Sequence, residues 1–365
     1  RETVAAEMAM GFRVGEVTQT SAIVWTRITR DAERNWDGYR EPSKRQPKQA
    51  DYVPSQIAVE DREGATPGAD GHVRAIISVE NDRDSPSITP WVNVDPDRDY
   101  THQFYFKYLK PDTKYTIRVE ARDSGEAEAS ATASGSFRTP AVEDYWQVVC
   151  FGVVTGQSYW ELDNRYGYHI YPAMGKLKLD FLVPSGDTVY LDSEAPRART
   201  VDLARYHWQR MYSLPRHVDF HRTVPGYWEV DDHDSWINDG WPTANAPWMN
   251  PLTFEQGFDV YREQVPMGDL TYRTVRWGKG LQIWMVEGRL YRSPNTMEDG
   301  PQKTIWGKEQ KDWLKRTILA SDANFRVLMS DSPIVGPDRG SVYYDNHAND
   351  AFAHEGNEFR MWTKQ

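Results

Sequence analysis

The sequence predicts a two-domain chain, an all-β sandwich followed by an α/β unit. Three observations carry this. At 365 residues the chain exceeds one typical domain. Residues 1–140 hold short strand-like runs bounded by turn residues. From Tyr145 onward, apolar strand-like runs alternate with apolar residues at helical spacing.

In the first domain Ser21–Arg27 and Val73–Val79 read as strands, and Gln103–Leu109 alternates more cleanly. Lys110-Pro111-Asp112-Thr113 is a turn, followed by the strand Lys114–Val119. Ser134–Arg138 is the last strand, closed by Thr139-Pro140. The charged stretch Thr29–Gln49 has little apolar content and reads as a long surface insertion. No catalytic cluster is visible in this domain. Its expected role is to pack against the second domain or shape its mouth, with glycan binding as the alternative.

Ala141-Val142-Glu143-Asp144 reads as the linker, and the second domain spans residues 145–365. Trp146–Val154 is a near-continuous apolar run, expected of a strand covered on both faces. Cys150 lies within it and is expected as a small buried hydrophobe. Ile170, Met174 and Leu177 mark a helix, and Phe181 begins the next strand. Val201, Ala204, Trp208 and Met211 share a helical face, ending before Pro215. Phe254, Phe258, Tyr261 and Val265 mark another helix. Tyr272–Arg276 and Leu281–Val286 form a predicted hairpin turning at Trp277–Gly280. Trp306–Leu319 is an amphipathic helix, and Phe325–Ser330 a strand leading to Ser332-Pro333. Phe352, Phe359 and Trp362 place a helix at the end of the sequence, without a Gly or Pro terminator.

Composition excludes several classes. A net charge of −11 argues against a nucleic-acid partner, since phosphate backbones need a basic face. A single cysteine excludes a disulfide framework within the chain. No run approaches the ~20 apolar residues of a membrane-spanning helix. The first residue is Arg1 rather than Met, as expected after removal of a leader or in a fragment.

Two acidic motifs stand at strand ends. Asp180-Phe181-Leu182-Val183 runs into Pro184-Ser185-Gly186-Asp187, with Tyr190 three residues on. In α/β folds ligands sit beyond the carboxyl ends of strands. Gly186 permits a sharp turn there, and Asp187 is aimed into the crevice. An aspartate can bridge two hard cations, and a tyrosine phenolate suits trivalent iron. The aromatic run Tyr227–Val230 likewise leads into Asp231-Asp232-His233-Asp234. Each motif alone reads equally as a solvated turn. Together they read as two edges of one metal site.

The ordered set resembles the alkaline phosphatase D family of secreted metallophosphoesterases. It comprises Thr155-Gly156-Gln157, Gly186-Asp187-x-x-Tyr190, Asp231-Asp232-His233-Asp234, Glu287-Gly288-Arg289-Leu290-Tyr291-Arg292 and Trp306-Gly307-x-x-Gln310. Leu109–Tyr115 further resembles the strand-turn-tyrosine signature of fibronectin type III-like sandwiches. The resemblance implies a fibronectin type III-like N-terminal domain before a four-layer αββα catalytic domain related to purple acid phosphatases. It implies an extracellular or periplasmic protein with iron and calcium that hydrolyses phosphomonoesters and phosphodiesters. Asp187, Tyr190 and Asp232 would be metal ligands, and His233 and Arg289 catalytic, with Glu287 beside Arg289. Gln157, Asp231 and Tyr168 would face substrate. A His beside carboxylates can protonate a leaving alkoxide, and activated water supplies the nucleophile.

Two departures qualify the resemblance. Gly156 stands where the family carries a cysteine ligand to iron, so a cluster with another divalent metal is expected. No late Gly-Asp-x-His motif is found, so the catalytic domain is expected to be C-terminally incomplete. The alternative function is a divergent member that is non-catalytic or acts on sulfate esters, binding a polyanionic or glycan surface. His347 and His354 are weaker metal candidates, and Tyr166 and His169 weaker substrate contacts.

Overall fold

The computed structural model describes residues 6–49, 53, 55–123, 128–335, 345–348 and 350–363. The N-terminal part contains β1 (Phe12–Gly15), β2 (Ser21–Arg27), β3 (His72–Val79), β4 (Asp82–Ile88), β5 (Val92–Asn93), β6 (Thr101–Lys107), β7 (Lys114–Arg122) and β8 (Ala131–Arg138). One sheet runs β1–β2–β6, the other β4–β3–β7–β8, with β5 also paired to β3. All these pairings are antiparallel. Burial alternates along β3, placing Val73, Ala75 and Ile77 inward. They meet Val14, Val24, Phe104 and Phe106 of the facing sheet. Tyr115 closes the β6–β7 turn, its hydroxyl accepting from the Lys110 N–H at 2.8 Å.

β2 is buried on both faces, and this joins the two parts of the chain. Ala22 and Val24 face the sandwich core, whereas Trp25 joins the core of the following residues. The Trp25 indole N–H donates to the Glu263 carbonyl at 2.8 Å. The Arg13 guanidinium lies between the rings of Trp25 and Tyr212, at 3.7 and 4.2 Å. An aromatic of this size withdraws roughly 200 Å² from water, about 5 kcal/mol of transfer free energy at ~25 cal/mol per Å².

The rest contains β9 (Phe151–Val154), α1 (Ile170–Gly175), β10 (Phe181–Pro184), α2 (Val201–Tyr212), α3 (Pro215–His221), α4 (Asp232–Ser235), α5 (Phe254–Gln264), β11 (Arg273–Trp277), β12 (Leu281–Val286), α6 (Gly307–Ala320), β13 (Phe325–Ser330) and α7 (Ala353–Trp362). β10 pairs in parallel with β9, and β12 pairs with β11 and β13. Side-chain alternation sets the layers. Leu182 of β10 faces Met174, Phe220 and Val224 on the helical side. Its neighbours Phe181 and Val183 face Ile283 and Met285 of β12. Trp284 and Val286 of β12 point the other way, onto Trp306, Leu314 and Phe352. The order is therefore helix, sheet, sheet, helix. The predicted end of α7 reaches Lys364 and Gln365, which lie outside the described residues.

The expectation for Trp146–Val154 is corrected. Regular strand begins only at Phe151, and β9 has β10 on one side with no second neighbour among the described residues. Residues 145–150 run along the surface instead, leaving Trp146 and Val148 exposed. Cys150 is exposed as well, not buried. The covered-strand reading rested on apolar content alone, and composition does not reveal which sheet edge a strand occupies. Among the described residues no helix is long and apolar enough to cross a membrane.

Candidate metal centre

The loop after β10 is shaped by a close approach. A Cβ on Gly186 would fall 2.3 Å from the Asp231 Cβ, and Gly186 has φ +91°. Only glycine fits both constraints. Asp187 follows with φ 52°, a left-handed conformation that Asp tolerates better than most residues. Asp234 then fixes the loop. One of its carboxylate oxygens accepts from the N–H groups of Thr188 (2.8 Å) and Val189 (3.0 Å). The other accepts from the Asp231 N–H at 3.0 Å, closing a capping box at α4.

This clamp brings the two sequence motifs together. Ligand atoms of Asp187, Asp232 and His233 all lie within 4.8 Å of one another. The Tyr190 hydroxyl donates to Asp187 Oδ2 at 3.2 Å. Asp187 Oδ1 is buried with no hydrogen-bond partner among the described residues. Burial, with the nearby Asp232 carboxylate, pushes the Asp187 carboxyl up to about 8. A buried carboxylate oxygen lacking any donor is costly unless a cation faces it. Burial and Asp187 also push the Tyr190 phenol up. Asp232, by contrast, is oriented by donors, with Oδ1 and Oδ2 each 2.6 Å from the N–H groups of His233 and Asp239. Among the described residues a second close group joins Asp232, Asp239 and Asp345.

His233 is oriented by a residue that sequence reasoning missed. Its Nδ1 lies 2.5 Å from Asp192 Oδ1, and the Asp192 side chain is fully buried. An ionised carboxylate only accepts, so Nδ1 carries the proton. Nε2 is left 4.0 Å from Asp232 Oδ1, facing the carboxylate group. Burial alone would lower the imidazole, but Asp192 and Asp232 outweigh it and raise His233 well above its ordinary value. Asp192 is two residues past Tyr190, yet it meets a histidine 41 positions away. No local spacing rule announces that contact.

The other predicted residues divide. Asp231 is in the cluster, but its carboxylate is taken by Arg289 at 2.6 Å. Arg289 is not open to a ligand, because it also holds Asp345 with two hydrogen bonds of 2.9 and 2.8 Å. The guanidinium expected to be catalytic is thus paired with carboxylates of the chain itself. Glu287 supports it by accepting from the Leu290 N–H at 2.7 Å. Gln157 reaches the site through its backbone, whose N–H donates to the Asp187 carbonyl at 2.8 Å. Its side-chain oxygen meets Tyr171 and His217. Tyr168 donates to the Ser158 carbonyl at 2.5 Å and packs on the core.

Gly156 does border the site, since a Cβ there would lie 3.6 Å from the Tyr190 hydroxyl. Cys150, six residues earlier and exposed, supplies no thiolate in its place. His347 pairs with Glu355 and packs at a tilt against Trp306, whereas His354 is exposed. A cavity of about 450 Å³ opens beside Asp187, Tyr190 and His233.

Known proteins resemble this chain in sequence and in fold. The chain is 24% identical over 358 residues to alkaline phosphatase D of Bacillus subtilis (strain 168), covering 87% of this chain and 54% of that protein. It thus spans about half the length of that curated relative. The solved structure of PhoD superposes with a TM-score of 0.73 at 17% identity, over 100% of this chain and 70% of that one. A purple acid phosphatase, PPD1 from yellow lupin (Lupinus luteus) seeds, gives 0.52 at 12% identity, over 87% and 50%. The family model of PhoD-like phosphatases matches residues 151–360, more than half of the sequence, and the chain belongs to that family.

Proposed function

We propose that this chain carries the centre of a metal-dependent phosphoesterase, acting on phosphate monoesters and diesters outside the cytoplasm. The observation that supports this most is the Asp187 carboxylate, buried with one oxygen unpartnered, beside Asp232, His233 and Tyr190. We assign residues 1–140 to a fibronectin type III-like domain, supported by its paired sheets and the Tyr115 corner. Residues 145–365 form the catalytic domain.

The donors present fit a hard cation. Asp187, Asp232 and Tyr190 offer oxygen, while Gly156 offers nothing. Oxygen donors favour calcium, manganese or ferric iron over thiophilic metals. Iron with calcium is what the family resemblance implies. The absence of a thiolate at Gly156 favours a harder divalent ion in place of one of them. When bound, such cations lower the pKa of water toward neutrality and offset charge on the phosphoryl oxygens. The chain's own part is to place the groups. Asp234 fixes the Asp187 loop, Arg289 fixes Asp231, and Asp192 turns His233 so that Nε2 faces the reacting atoms. A proton held at His233 Nε2 is then available to the departing alkoxide.

The test is metal analysis with turnover of p-nitrophenyl phosphate and bis(p-nitrophenyl) phosphate on one preparation. Bound metal is expected, together with turnover that chelator abolishes and added iron, calcium or manganese restores. Turnover that persists in a metal-free chain overturns the reading.

Asp192→Asn separates positioning from binding. It lowers kcat roughly 10- to 100-fold with KM little changed, the range for loss of an orienting carboxylate. Metal content stays that of the parent, and the acidic limb of the pH–rate profile moves. A drop in metal content equal to the drop in kcat would make Asp192 a scaffold residue only.

A further inference from the structure

We propose that the N-terminal insertion adds a subsite for a second phosphate-like anion of the substrate, carried by Arg45 with Lys48. This rests on the phosphoesterase reading above. The insertion is held at the mouth of the metal centre by its backbone. The Ala195 N–H donates to the Lys44 carbonyl at 2.8 Å. The Arg197 guanidinium donates to the Gln46 and Pro47 carbonyls at 2.7 and 2.6 Å. Because backbone groups make these contacts, the side chains of Arg45 and Lys48 are not spent on them.

Those side chains line the same 450 Å³ cavity as Asp187, Tyr190 and His233. A volume in the range of ~300–1,000 Å³ accommodates a small-molecule ligand, more than one phosphoryl group. Lys44 is paired with Glu161 at 2.9 Å. Lys48 lies 3.8 Å from Asp192, too far for a hydrogen bond, and over the Trp248 ring at 4.7 Å. Arg45 is exposed and has no ion pair among the described residues. Two of the three carboxylates on the cavity wall are already paired, and the third, Asp187, faces the proposed cation. Asp192 is taken by His233, and Glu194 by Arg210 at 3.1 Å.

A run of surface cations is usually a solvated face. Here three features set it apart. The chain as a whole is acidic, at −11. The run is anchored by partly buried hydrogen bonds from the Arg197 guanidinium. Its free guanidinium also opens onto the cavity that holds the reacting groups. A planar guanidinium matches two phosphate oxygens at once. A substrate with one phosphate, held at the Asp187 cluster, leaves Arg45 unmatched, whereas an ester bearing a second phosphate nearby engages both.

Non-hydrolysable probes test this by calorimetry on the purified chain. Propane-1,3-diphosphonate is expected to bind about tenfold more tightly than propylphosphonate, the effect of one charged hydrogen-bonded contact. Arg45→Glu is expected to remove that preference, and added salt to narrow it. Equal affinities in the parent chain, an unchanged ratio in Arg45→Glu, or binding of neither probe would overturn the subsite. Turnover of bis(p-nitrophenyl) phosphate on the same preparation reads the underlying activity separately. Its loss with the preference intact counts against the esterase reading, not against the subsite.

Discussion

Asp187→Asn abolishes turnover of bis(p-nitrophenyl) phosphate to about one part in a thousand or less, the scale expected when charge stabilisation at the reacting centre is lost. It does so without destabilising the metal-free chain. The two halves of this expectation have one origin. Asp187 sits in a left-handed turn that Asn also tolerates. Its buried oxygen has no donor among the described residues, and its neighbours Asp232 and Asp234 are also acidic. Folding therefore gains nothing from the charge, whereas a bound cation depends on it. An amide removes the repulsion and the affinity together. Bound metal, measured by elemental analysis, falls with activity, and the metal-free melting temperature holds or rises. The assignment fails if Asn retains parental metal and turnover. It fails equally if the substitution unfolds the metal-free chain, because Asp187 would then be a scaffold carboxylate.

Much of this arrangement was legible in the sequence because it follows local rules. Gly186 marked a turn that only glycine fits, and the apolar run before it marked a buried strand. Helical spacing gave α2, α5 and α6, and strand patterning gave β2, β3 and β12 within a residue or two. What stayed hidden depends on contacts distant in sequence. Asp192 is an ordinary loop aspartate until the fold brings His233 to it. Asp345 reads as part of a polar stretch, yet it is half of the charge network around Arg289. Asp231–Asp234 could be taken for a solvated turn, but Asp232, His233 and Asp234 are buried, because the capping box and backbone N–H donors of the neighbouring loops draw carboxylates inward. The Cys150 segment failed for the opposite reason. Apolar composition suggested burial, while its position at the edge of β9 leaves it in solvent.

Arg289→Ala is expected to cost on the order of 3–5 kcal/mol of stability, the range for breaking a buried ion pair from one side. Its side chain is 2% exposed. It contacts Asp231 at 2.6 Å and Asp345 at 2.8 Å, with Asp232 and Asp331 each at 3.8 Å. Burial works to raise the Asp345 carboxyl, but Arg289 and Arg292 hold it below the usual range. Removing one guanidinium therefore strands several carboxylates away from water, not one. Lys does not substitute, since a single ammonium cannot span Asp231 and Asp345 as the planar fork does. A chemical denaturation series separates this from an effect on turnover. Adding Asp345→Asn to Arg289→Ala is expected to restore part of the loss, because it neutralises one stranded charge. Should Arg289→Ala change the unfolding free energy by less than about 1 kcal/mol while turnover collapses, the guanidinium would instead be acting on substrate. The carboxylates around it would then need another counter-charge. The geometry argues for the first outcome, because the fork that would grip a phosphate is already filled on both sides.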